Sequence, residues 1–121
     1  MEWTKIKVFG DYEKNMINSF TDLGISKNVS SVIVYLIIKK SATSRDIEIS
    51  AKLRQPEVSK AMQYLIARNW VSIEQKRREG RGRPTNLYRL EAKPDEIINY
   101  FKSQAENDIV EIREYKKKFL K

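Results

Sequence analysis

The chain has 121 residues, 40% of them hydrophobic and 33% charged, with a net charge of +8 and neither cysteine nor histidine. That length suits one domain with a single modest core, and the charged fraction exceeds the roughly 25% usual for soluble domains. The two missing residue types exclude disulfides, thiolate zinc sites, cysteine nucleophiles and the commonest general base and metal ligand.

Residues 1–10 mix Trp3, Ile6, Val8 and Phe9 with lysines and show no clean period, so they read as an N-terminal arm or short strand. From Asp11 the spacing turns helical, with Tyr12, Met16, Phe20 and Leu23, and Gly24 can supply a left-handed terminus. Ser26 stands where an N-cap belongs, ahead of Val29, Val32, Ile33, Leu36 and Ile37 at i, i+3, i+4, i+7 and i+8. Val34 and Ile38 widen that stripe, which predicts a helix buried on more than one side.

Thr43-Ser44-Arg45-Asp46 has the form of a capping box and opens a short helix with Ile47, Ala51 and Leu53 inward. Arg54-Gln55-Pro56-Glu57 then starts another helix, because proline and an acid both suit a first turn. Its apolar set is Val58, Ala61, Met62, Leu65 and Ile66, and Asn69 can end it. Two helices across so tight a break form a helix-turn-helix pair. Beyond Asn69 the period falls toward two. Trp70–Glu74 and Thr85–Leu90 read as strands, joined by a basic segment with two glycines. A strand, a basic loop and a strand after a helix pair is the order of a wing.

From Pro94 a helix of about 26 residues would run roughly 40 Å. Its seam places Ile98, Ala105, Ile112 and Phe119 at one heptad position, with Phe101, Asp108 and Tyr115 at the other. Asp108 interrupts the second series, where Ile109 can take over. A helix that long outreaches a domain this small. Ile98, Phe101, Ala105, Ile109, Ile112, Tyr115 and Phe119 are therefore the expected dimerisation residues; the alternative folds the helix back on the chain's own N-terminal helix. The expected organisation is an arm at 1–10, a winged helix-turn-helix domain at 11–93 and a dimerisation helix at 94–121. The class is α+β, mostly α, with a two-stranded β-wing.

The charge is not spread evenly. Residues 1–38 and 94–121 each balance to zero, and the whole excess lies in 39–93. A field concentrated in that way suits a polyanion such as a nucleic acid or an anionic membrane surface. In the second helix of the pair, Gln55, Glu57, Ser59, Lys60, Gln63 and Tyr64 are the positions free to meet base edges in a major groove, although such residues are also ordinary on a solvated face. In the wing, Lys76, Arg77, Arg78, Arg81 and Arg83 oppose the single acid Glu79. Arg81-Gly82-Arg83-Pro84 resembles the core of the AT-hook. There glycine lets the backbone approach the groove floor, and arginines seek the negative potential of a narrow A·T-rich minor groove. Thr43, Ser44, Arg45 and Arg54 are candidate phosphate contacts, with simple helix capping as the alternative for the first three.

Several stretches in order resemble the archaeal winged-helix regulators of the TrmB-like and MarR-like group. They are Asp22-Leu23-Gly24-Ile25-Ser26, Ala42–Ile47, Gln55-Pro56-Glu57-Val58-Ser59, and Gly82-Arg83-Pro84 with Tyr88-Arg89-Leu90. The resemblance spans residues 16–92 and implies that Gln55–Gln63 is the recognition helix and Arg77–Arg83 the wing. The sugar-binding domain of larger TrmB-like proteins has no counterpart before Lys121, so sugar sensing is not carried over.

The expected function is a homodimeric, sequence-specific regulator of transcription bound to double-stranded DNA. An architectural chromatin protein coating DNA with little sequence preference has the same charge pattern, and a winged helix used for protein docking is a third reading. No cofactor, metal or catalytic site is expected, and no small-molecule effector is identifiable. With no apolar run of about 18 residues and no secretory leader, the expected location is the cytoplasm, at the nucleoid.

Overall fold

The computed structural model describes residues 10–76 and 85–119. The chain begins with α1 (Asp11–Asp22), where the Glu13 carboxylate accepts the Gly10 N–H at 2.8 Å. Gly24 follows at φ +99°, a conformation that costs a side chain but not glycine. This bend aims the chain into α2 (Lys27–Lys39), capped by the Ser26 hydroxyl, which accepts the Val29 N–H at 3.3 Å.

α2 is the centre of the molecule. Ser30–Leu36 are all buried, and Val32, Ile33, Val34 and Leu36 are sealed completely. Burying such a side chain is worth about 1.5–3 kcal/mol, so this one helix anchors every neighbour. The expected widening of its apolar stripe holds at Val34 and stops at Ile38, which is exposed.

Lys40, at φ 71°, turns the chain into β1 (Ser41–Thr43), a strand the sequence reading did not anticipate. Three small residues carry no alternation to read; β1 exists because β3 pairs with it. The capping box at Thr43 forms as expected. Its hydroxyl accepts the Asp46 N–H and its own N–H donates to Asp46 Oδ2, both at 3.2 Å, opening α3 (Ser44–Ala51). Lys52 takes a left-handed conformation at φ 57°, ψ 47°, and the chain re-enters helix as α4 (Gln55–Ala67). There Glu57 Oε1 accepts the Arg54 N–H at 2.8 Å, and Pro56 lies in the first turn.

Asn69, at φ 62°, ends that helix region as its sequence position suggested. β2 (Val71–Lys76) and β3 (Thr85–Leu90) form an antiparallel hairpin paired from Val71↔Leu90 to Lys76↔Thr85. β3 also pairs with β1, from Ser41↔Arg89 to Thr43↔Leu87, giving a three-stranded sheet in the order β1-β3-β2. The hairpin is thus bonded back to the start of the helix pair. α5 (Pro94–Phe119) follows, its Glu96 carboxylate accepting the Lys93 N–H at 2.8 Å.

The first turns of α5 dock on the domain through Ile97 and Phe101, with Ile98 partly covered beside them. Trp70 and Tyr100 meet edge to face at 5.3 Å, and Trp70 and Phe101 at 5.8 Å. Trp70 therefore joins the domain to α5 through ring contacts and is not free to stack on a base. Beyond Phe101 every described side chain of α5 is exposed. Within the described residues the helix does not fold back on α1.

Candidate nucleic-acid interface

α4 buries Val58, Ala61, Met62 and Leu65, a periodicity that fixes its rotation. Gln55, Lys60 and Gln63 consequently face solvent, with Glu57 and Ser59 half-buried at the margins. Amide, ammonium and hydroxyl groups thus share the outer side of a helix whose inner side is locked by packing. Base readout needs that combination, because a mobile helix cannot aim a donor within hydrogen-bond reach.

Tyr64 differs from the other five candidates. The Arg68 guanidinium lies over its ring, 3.7 Å from the centroid, and Arg68 Nη1 donates to the Tyr64 carbonyl at 3.3 Å. The same guanidinium is 5.7 Å from the Tyr100 ring on α5. One face of Tyr64 is therefore committed to joining α4 to α5. Sequence reading missed Arg68, since a basic residue near a helix C-terminus ordinarily marks only capping.

Of the candidate phosphate contacts, Thr43 uses its hydroxyl oxygen as an acceptor, which leaves its proton for a phosphate. Ser44 donates its proton to Glu48 Oε2 at 3.0 Å. Its hydroxyl is thereby committed to a carboxylate, and its backbone N–H at the start of α3 is the group left to meet a phosphate. Arg45 is exposed. The Arg54 side chain is 83% exposed and reaches Glu57 at only 3.8 Å, an ion pair too loose and wet to hold it.

The wing candidates Arg77, Arg78, Arg81, Gly82 and Arg83 lie outside the described residues. Lys76 closes the described part of β2 opposite Thr85. Beside α4 is an open hollow of about 570 Å³ between its N-terminal half and the start of α2, bordered by Asn28, Arg54, Glu57, Lys60 and Tyr64. No local pattern signals that α2 begins next to α4, because more than two dozen residues separate them.

On α5 the dimerisation candidates divide. Phe101 is 8% exposed inside the chain's own core, and Ile98 is half-buried against it. A seam counted from Ile98 also passed over Ile97, which is fully buried. Ala105, Ile109, Ile112 and Tyr115 are exposed, with Val110 beside them. Phe119 ends the helix. Among the described residues there is no cluster of potential metal ligands, and no helix is long and apolar enough to cross a membrane.

No protein-family model matches the sequence, and no curated protein matches it. Solved structures do. The chain superimposes on TrmBL2, an archaeal chromatin protein with a novel mode of DNA binding, at TM-score 0.66 and 17% identity. The match covers 88% of this chain and 39% of that one, so the chain spans about two fifths of TrmBL2. A possible transcriptional regulator from Methanosarcina mazei Go1 matches at TM-score 0.57 and 19% identity, over 84% of this chain and 87% of that one. A transcriptional regulator homologue from Pyrococcus horikoshii OT3 matches at TM-score 0.53 and 16% identity, over 84% and 97%. The fold is that of TrmB-like and MarR-like winged-helix regulators.

Proposed function

We propose that this winged-helix chain is a DNA-binding regulator of transcription that acts as a homodimer. α4 reads base edges in the major groove through Gln55, Glu57, Ser59, Lys60 and Gln63. The β2–β3 hairpin carries Lys76, Arg77, Arg78, Arg81, Gly82 and Arg83 into an adjacent A·T-rich minor groove. Thr43, the Ser44 backbone N–H, Arg45 and Arg54 meet backbone phosphates. The observation that carries this reading is the outer face of α4. Its inner face is fixed by four buried residues, and Gln55, Lys60 and Gln63 have no structural task within the domain.

The dimer reading rests on α5. Its apolar side chains Ile109, Ile112 and Tyr115 are exposed at helical spacing on one face, and such a patch calls for a cover. The charges argue for a second copy. Asp95, Glu96, Glu106, Asp108 and Glu111, with Lys102 among them, precede Arg113, Lys116, Lys117 and Lys118, with Glu114 among them. An antiparallel pair sets each basic end over the other's acidic stretch, which also satisfies two-fold symmetry. Two recognition helices would then meet half-sites about one helical turn, roughly 10 bp, or a multiple apart.

Fluorescence anisotropy on an operator-like inverted repeat and a scrambled duplex, across a salt titration, tests the function. Tighter binding to the repeat at every salt concentration is expected; equal affinity for both removes sequence-specific regulation. The second reading, an architectural coat, is favoured by the likeness to a chromatin protein. It predicts affinity arising almost wholly from counterion release and a footprint without preferred positions.

A further inference from the structure

We propose that Lys14, Lys27 and Lys52 form a phosphate-binding cleft beside α4 that clamps the DNA backbone next to the base-reading helix. The three ammonium groups come from α1, the first turn of α2 and the α3–α4 turn, and border one cleft of about 440 Å³. Asn18 and Asn28 add uncharged donors at its rim, and no carboxylate lines it. Among the described residues none of the three lysines enters an ion pair. Three like charges brought together without a counter-charge raise the local potential, and an anion between them reverses that cost.

Ser50 and Ser31 line the floor of the cleft and are buried; the Ser50 hydroxyl lies within reach of the Tyr35 hydroxyl, and Ser31 donates to the Lys27 carbonyl at 2.9 Å. The floor is thus polar but already satisfied, and the lysines at the rim supply the attraction for an anion.

The surroundings select a backbone phosphate over a small metabolite. All three lysines are exposed, so the cleft opens outward and does not enclose its ligand. Asn28 borders both this cleft and the hollow along α4 that Arg54 and Lys60 line. The two depressions are neighbours, and a strand beside the major groove occupied by α4 would cross from one to the other. Two of its lysines, Lys14 and Lys27, lie outside the helix pair and the wing, on residues 1–38, whose net charge of zero hides them.

This inference rests on the reading of the protein as a DNA binder. The test is the salt dependence of duplex affinity for the full chain and for the triple variant Lys14→Gln/Lys27→Gln/Lys52→Gln. A charge-matched variant, Lys39→Gln/Lys93→Gln/Lys102→Gln, serves as the comparison. Each phosphate contact contributes about 0.9 to the slope of log K against log salt, so the cleft variant should be shallower by about 2 to 3. Its preference for the inverted repeat over the scrambled duplex should persist, and its melting temperature should match the parent. An unchanged slope overturns the inference, and so does an equal change in the comparison variant, which would mean bulk charge alone. In parallel, inorganic phosphate is titrated into the free protein and followed by amide NMR. Shifts at Asn28, Ser50 and Lys52 that the cleft variant abolishes, combined with an intact DNA slope, assign the cleft to a free anion and overturn the DNA contact. A parent protein that binds no duplex at all refutes the regulator reading itself, and is told apart because no slope then exists to change.

Discussion

Ile112 offers a direct test of the second copy on α5. It is 66% exposed, like Tyr115, with Ile109 at 48% and Val110 at 53%. Complete burial of an isoleucine side chain is worth about 1.5–3 kcal/mol. With two thirds of it still wet, each copy has about 1–2 kcal/mol left to gain there, and a symmetric dimer gains it twice. Ile112→Asp removes that gain in both copies and sets two carboxylates in the seam. Dimer affinity should fall by 2–4 kcal/mol, roughly 30- to 1,000-fold, before any desolvation penalty for the charge. Because Ile112 touches nothing buried in its own chain, the fold should survive. Sedimentation equilibrium over a range of concentrations reads the change, with far-ultraviolet circular dichroism confirming the helices. A parent chain that is monomeric at the highest concentration refutes the reasoning, as does a variant that dimerises as well as the parent.

Other expectations concern the domain and its readout. Lys60→Ala and Gln63→Ala should each weaken binding to the preferred duplex by about 1–3 kcal/mol while shifting stability by less than about 0.5 kcal/mol, since neither side chain is packed; calorimetric titration beside thermal melts checks both halves. Phe101→Ala should destabilise the domain by about 3–5 kcal/mol, the usual cost of emptying an aromatic site, read as a lowered urea midpoint with the slope preserved. Thr43→Ala should cost about 1 kcal/mol through loss of the cap, and Thr43→Ser should restore most of it. Gly24→Ala should also destabilise. The space around its would-be Cβ is open, so the penalty comes from φ +99° alone and should be of the order of 1 kcal/mol.

The helices were legible because each rests on local rules. Ser26, Thr43, Pro56 and Asn69 mark ends through bonds or dihedral preferences within a few residues, and the apolar periods between them state which face turns inward. The hairpin was legible for the same reason, from alternation on either side of a glycine-containing basic segment. β1 was not, since Ser41–Thr43 become a strand only through β3, more than forty residues later in the chain. The candidate site divides along the same line. Residues on one helix, such as Gln55, Lys60 and Gln63, could be grouped from the helical repeat before any coordinates.

Groupings across elements depend on how the helices cross, and only the tertiary structure decides that. It set Arg68 over Tyr64 and near Tyr100, put Phe101 in the core with Ile98 half-buried beside it, and made Ile97 a core residue. It also drew Lys14, Lys27 and Lys52 around one cleft. The sequence by itself determined the helix pair, the hairpin and the long last helix, together with the concentration of charge between residues 39 and 93. Local hydrogen bonds and side-chain periodicity act over four or five residues and can be read in order. Packing brings together residues dozens of positions apart, through volumes and crossing angles that no short stretch of chain contains.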